Sequence, residues 1–105
     1  MTNWVRACAT TDFDARPVQR FDHGDRTFAV YRSPEGGYYA TDGHCTHEQT
    51  HLADGAVYGH EIECPRHLGA FDYTTGEAVL APACIDLKTF AVKVEGDGVL
   101  IDLDS

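Results

Sequence analysis

Cys45-Thr46-His47 and Cys64-Pro65-Arg66-His67 are two short Cys/His clusters with sixteen residues between them. Each cluster offers one thiolate and one imidazole. A zinc finger of the Cys2His2 kind usually pairs Cys with Cys on one hairpin and His with His on a helix. Here the two ligand types are divided evenly between two loops. That division suits a binuclear centre in which both loops touch both metals.

The flanks add to this pattern. Leu52-Ala53-Asp54-Gly55 and Ile62-Glu63-Cys64, together with C-x-H, the sixteen-residue gap and C-x-x-H, resemble the motif of Rieske-type 2Fe-2S ferredoxins. The likeness extends over nearly the whole chain. A Rieske centre takes two Cys on one iron and two His on the other. The resemblance therefore implies Cys45 and Cys64 on the inner iron and His47 and His67 on the outer, electron-exit iron.

The same resemblance sets apart the high-potential Rieske proteins of cytochrome bc complexes. Those carry an extra Cys in each loop, joined as a disulfide, where Thr50 and Arg66 stand here. They also place Ser and Tyr hydroxyls near the cluster sulfurs, at positions matched by Gly69 and Phe71. Fewer hydrogen bonds to sulfur leave the reduced cluster less stabilised, so a potential of roughly −150 mV is expected. Pro82 matches the proline loop that covers the cluster in this family, where a residue without an N–H shields sulfur without donating to it.

Composition bounds the alternatives. A chain of 105 residues is expected to be a single domain, 1–105, with a modest core that a bound metal centre would help stabilise. Apolar content of 43% argues against disorder. No apolar run approaches the roughly 18 to 20 residues that cross a bilayer, and Met1-Thr2-Asn3-Trp4 does not open a signal sequence, so a cytoplasmic protein with reduced thiols is expected. The net charge of −9 disfavours nucleic acid and anionic membranes, and suits a basic protein partner reached by electrostatic steering. Nothing calls for more than a monomer.

The pattern along the chain is all-β. Strands are expected over 4–9, 18–21, 26–32, 38–41, 56–58, 61–64, 70–73 and 77–80, with a polar turn or one short helical turn over 10–17. A final hairpin sets Phe90, Val92 and Val94 against Val99, Ile101 and Leu103 around Gly96-Asp97-Gly98. In strand 4–9, Val5 and Ala7 should share one side and Trp4, Arg6 and Cys8 the other. Phe28 and Val30 mark the buried side of a half-buried strand. No helical period is sustained for ten residues, so a small antiparallel sandwich or barrel with two cluster-binding loops is expected.

Several residues have ordinary readings. Cys8 and Cys84 read as small semi-buried thiols, with extra ligands or a disulfide as the alternative. His44 and His51 read as exposed loop histidines, with cluster tuning or docking as the alternative, and His23 and His60 as solvent-facing turn residues. Asp12/Asp14 and Glu61/Glu63 read as solvated surface. Glu48, Arg66 and Leu68 lie within the ligand loops and are candidates for partner contact.

The resemblance implies a one-electron carrier between a flavin-dependent, NAD(P)H-driven ferredoxin reductase and a terminal Rieske oxygenase of the aromatic-ring dioxygenase type. An oxygenase reading would need a mononuclear iron on a separate domain. With only four His outside the motif in the 105 residues, none paired at helical spacing, no such domain is expected. A small subunit of an assimilatory nitrite reductase shares the fold but often lacks the ligands. A zinc-stabilised binding module is the non-redox alternative, separable by metal and labile-sulfide analysis.

Overall fold

The computed structural model describes residues 2–45, 50–65, 69–81 and 85–105. Among these residues, eleven strands alternate with turns and two short 3-10 segments: β1 Trp4–Ala9, β2 Val18–His23, β3 Arg26–Arg32, β4 Tyr38–Asp42, β5 Ala56–Tyr58, β6 Glu61–Glu63, β7 Ala70–Asp72, β8 Ala78–Leu80, β9 Thr89–Phe90, β10 Val92–Glu95 and β11 Gly98–Asp102. They form three antiparallel sheets, ordered β1-β11-β10, β2-β3-β4-β9 and β5-β6-β7-β8. The all-β expectation holds as packed sheets, with no closed barrel among the described residues.

Three of the turns share one chemistry. His23 pairs with Arg26, Tyr58 with Glu61 and Glu95 with Gly98, leaving two-residue loops that begin at Gly24, Gly59 and Gly96. Those glycines have φ of 62°, 60° and 60°. A two-residue hairpin needs a positive φ at its first position to match the strand twist, which glycine supplies without a Cβ clash.

The middle sheet carries the fold. β3 has Phe28, Ala29, Val30 and Tyr31 buried in succession. Its period-two alternation divides these four residues between two cores. Ala29 and Tyr31 join Leu52, Ile62 and Phe71 beneath the β5–β8 sheet, while Phe28 and Val30 join Phe13, Phe90, Val99 and Ile101 beneath the β1–β10–β11 sheet. The expectation of one buried side on this strand is therefore corrected: both sides are covered.

Two further expectations change for structural reasons. Phe90 does not belong to the last hairpin; β9 pairs with β4 through Ala40↔Phe90, and the chain passes to the other sheet before β10 begins at Val92. In β1 the register shifts between Arg6 and Cys8. This irregularity resets the alternation, so that Cys8 packs on the same core as Val5 and Ala7.

A pair of tyrosines joins the layers. Tyr31 of β3 and Tyr73, just after β7, stack with ring centroids 4.4 Å apart and planes within 3°. The Tyr31 hydroxyl bonds Thr41 Oγ1 at 2.9 Å, Thr41 in turn donating to the Asp42 carbonyl, and Tyr73 donates to the Gly59 carbonyl at 2.7 Å. Both rings are fully buried with their polar tips satisfied. Burial pushes the Tyr73 phenol up to about 12, with the Glu35 carboxylate adding to the effect, and raises Tyr31 further still.

Candidate metal centre

Two loops of equal size carry the Cys/His clusters. In the first, His44 and His51 form a β-bridge, and the Cys45 N–H donates to the Thr50 carbonyl at 3.1 Å. In the second, Glu63 pairs with Ala70, and the Cys64 N–H donates to the Gly69 carbonyl at 2.6 Å. Each candidate cysteine thus follows the last paired residue and opens a six-residue loop that its own amide closes. Strand pairing fixes both loop bases, as a metal centre with preset geometry requires.

Cys45 and Cys64 belong to one buried cluster and are 5% and 1% exposed, so their sulfurs sit on the inner side of the loops. The Thr50 hydroxyl of the first loop lies 3.5 Å from the Cys64 sulfur of the second, which links the loops directly. His47 and His67 lie outside the described residues, as do Glu48, Arg66, Leu68, Pro82 and Cys84. Cys8 is distant in the fold: it lies on β1 at the opposite core, and burial pushes its thiol up to about 11, with Asp12 adding to the effect. It stays a protonated, small packing residue.

His51 departs from the exposed-loop expectation. It is 5% exposed. Its Nδ1 accepts the Ala53 N–H at 3.0 Å, so a neutral ring carries its proton on Nε2 and donates to Thr27 Oγ1 at 2.8 Å. Thr27 donates onward to Asp22 at 2.5 Å. The first loop is in this way tied to the β2–β3 hairpin, and Arg16 Nη2 adds a 2.6 Å bond to the Ala53 carbonyl. Burial, followed by the nearby Arg20 charge, holds the His51 imidazole below its ordinary value. The ring lies against Gly43, where a Cβ would come within 2.5 Å of Nε2. Among sequence signals, only the glycine two residues before Cys45 hints at this buried histidine.

His44 stays exposed beside Cys45, as expected. His60 is exposed too, but it is paired: its Nε2 lies 2.6 Å from Glu35, which raises the imidazole. His23 faces solvent.

The class that fold and loops define is a small β protein with a two-loop metal centre. The sequence model of the Rieske [2Fe-2S] domain matches residues 3–91. The ferredoxin component of a naphthalene 1,2-dioxygenase system from Pseudomonas aeruginosa is 42% identical over 100 residues, covering 95% of this chain and 95% of that protein. A chain in the solved complex of reduced oxygenase and oxidized ferredoxin of carbazole 1,9a-dioxygenase superposes with a TM-score of 0.87 at 35% identity, over 94% of this chain and 92% of that one. The chain belongs to the Rieske [2Fe-2S] family. A structure assigned as an NADPH nitrite reductase small subunit reaches a TM-score of 0.76 at 18% identity, over 94% of this chain and 97% of that one, which shows a common fold alone.

The described residues fit the 2Fe-2S group of that family. Two buried cysteine sulfurs head matched loops, soft donors suited to iron–sulfur chemistry, and a hydroxyl points at one of them. No helix among the described residues is long and apolar enough to cross a membrane.

Proposed function

We propose that this chain is a low-potential Rieske ferredoxin that carries single electrons from a flavin-dependent, NAD(P)H-driven reductase to a terminal Rieske oxygenase of the aromatic-ring dioxygenase kind. It is a carrier rather than an enzyme, acting as one domain, a monomer, in the cytoplasm. The observation that carries this reading is the pair of equal, amide-closed loops headed by buried Cys45 and Cys64. Relatives named as dioxygenase ferredoxin components support the partner class.

Cys45 and Cys64 would hold one iron, and His47 and His67 the other. The bound group supplies reversible one-electron chemistry without bond making in a substrate. The chain's own residues perform three tasks. Strand pairing at Glu63↔Ala70 and His44↔His51 holds the loop bases at fixed separation. The buried core beneath Cys45 and Cys64 keeps water from the sulfur side. Leu80 pairs with Ala70 at the base of the second loop and is 51% exposed. The exposed Leu80 side chain beside the loop suits a small, transient docking contact, and the net charge of −9 favours a partner with a basic face.

The test is electron paramagnetic resonance of the dithionite-reduced protein with a redox titration and metal analysis. A signal with average g near about 1.9, titrating as one electron near roughly −150 mV, with iron and acid-labile sulfide, is the expected result. Zinc without sulfide would overturn the cofactor and the electron-transfer role together. A Rieske signal titrating far above zero would place the protein with quinol oxidants instead.

A further inference from the structure

We propose that Thr50 is a positioning residue that raises the reduction potential of this ferredoxin through its hydrogen bond to Cys64. The inference rests on the reading of Cys64 as an iron ligand.

Thr50 occupies a place where one loop cysteine of the disulfide-bearing Rieske branch would stand, and its side chain reaches across from the first loop to the second. Its backbone is anchored because its carbonyl accepts the Cys45 N–H at 3.1 Å. With the backbone held, Oγ1 sits 3.5 Å from Cys64 Sγ, within hydrogen-bond reach for sulfur. In a thiol either atom could donate. A metal-bound thiolate has no proton, so Thr50 must be the donor. Cys64 is 1% exposed, so the dipole acts where water does not screen it.

The direction follows from charge. Adding one electron makes the thiolate sulfur more negative, and the Thr50 O–H bond to it strengthens. One electron enters and no proton moves; the hydrogen remains on Oγ1. The sulfur is anionic in both states and more so in the reduced one, so the bond favours reduction. The expected size is about tenfold, which for a one-electron couple is about 59 mV. Gly69 and Phe71 have no hydroxyl to offer sulfur, whereas the Thr50 hydroxyl reaches Cys64 from the opposite loop.

The test is a redox titration of the intact holoprotein, followed by electron paramagnetic resonance, for wild type, Thr50→Val and Thr50→Ser. Thr50→Val keeps the shape and removes the hydroxyl; its reduction equilibrium should fall about tenfold while iron, labile sulfide and the reduced signal remain. Thr50→Ser should stay within about twofold of wild type. An unchanged potential in Thr50→Val overturns the proposal, as does an equal fall in Val and Ser variants, which would assign the effect to the methyl group. If Thr50→Val fails to take up iron and sulfide, the same titration on Thr50→Ala decides by the same criterion. Wild-type protein without iron and labile sulfide would instead overturn the ligand reading, a different failure visible before any variant is made.

Discussion

Tyr73→Ala tests whether the stacked tyrosines hold the metal-loop sheet to the rest of the protein. Tyr73 is fully buried, lies parallel to Tyr31 at 4.4 Å and donates a 2.7 Å hydrogen bond to Gly59. The stack accounts for about 0.5–1.5 kcal/mol beyond area burial, and the hydrogen bond for about 1 kcal/mol. The ring's burial and the cavity left behind bring the total to about 3–5 kcal/mol. At about 4–8 °C per kcal/mol for a domain near this size, the melting temperature should fall by at least about 12 °C. Tyr73→Phe keeps the stack and loses only the hydroxyl, for a fall of about 4–8 °C. The assay is thermal unfolding by circular dichroism at one fixed scan rate, because metal release makes the transition rate-dependent. Visible absorbance followed in parallel should show earlier cluster loss. A double-mutant cycle with Tyr31→Ala isolates the coupling. Effects of the two substitutions that add within about 0.5 kcal/mol would refute the idea that this stack joins the layers.

Other perturbations separate local geometry from ligand chemistry. A Cβ at Gly55 would run into the Glu63 carbonyl beside Cys64, so Gly55→Ala should cost about 1–3 kcal/mol and lower iron content; chemical denaturation and iron assay check both. By contrast, Gly96→Ala meets open space and should cost only the about 1–2 kcal/mol of a left-handed residue, with iron content unchanged. Cys64→Ala should abolish iron binding and visible absorption, whereas Cys8→Ala should retain both, because Cys8 lies at the other core. The His51 imidazole is held below its ordinary 6.5, so between the folded value and 6.5 the unfolded chain binds a proton that the folded chain does not. Stability is therefore complete above 6.5 and is lost as pH falls towards the folded value. Melting temperatures against pH should drop more steeply on this acid side for wild type than for His51→Gln. Equal slopes would dismiss His51 as the source.

The motif residues are legible in sequence because ligand identity and spacing are local, covalent facts. Cys45 and Cys64 are candidates on that ground, and in the fold each opens a six-residue loop closed by its own amide. Period-two alternation and the Gly-Asp and Gly-His pairs likewise mark most strands and the two-residue turns, since backbone sterics act within a few residues. His51, however, reads as one more polar loop residue until Thr27 and the Ala53 amide close around it. Phe90 continues an unbroken alternation with Val92 and Val94, yet pairs with Ala40 in another sheet, because strand partners are chosen by long-range packing.

What the sequence by itself determined, then, is the all-β class, the paired Cys/His loops and the family they resemble. Only the tertiary structure decided that β3 is buried on both sides, that Cys8 turns with Val5 and Ala7 to one core, and that Thr50 meets Cys64. Each of these depends on groups distant in the chain or on a register shift within a strand pair. Neither a spacing nor a periodicity encodes such contacts; they exist once the sheets have packed.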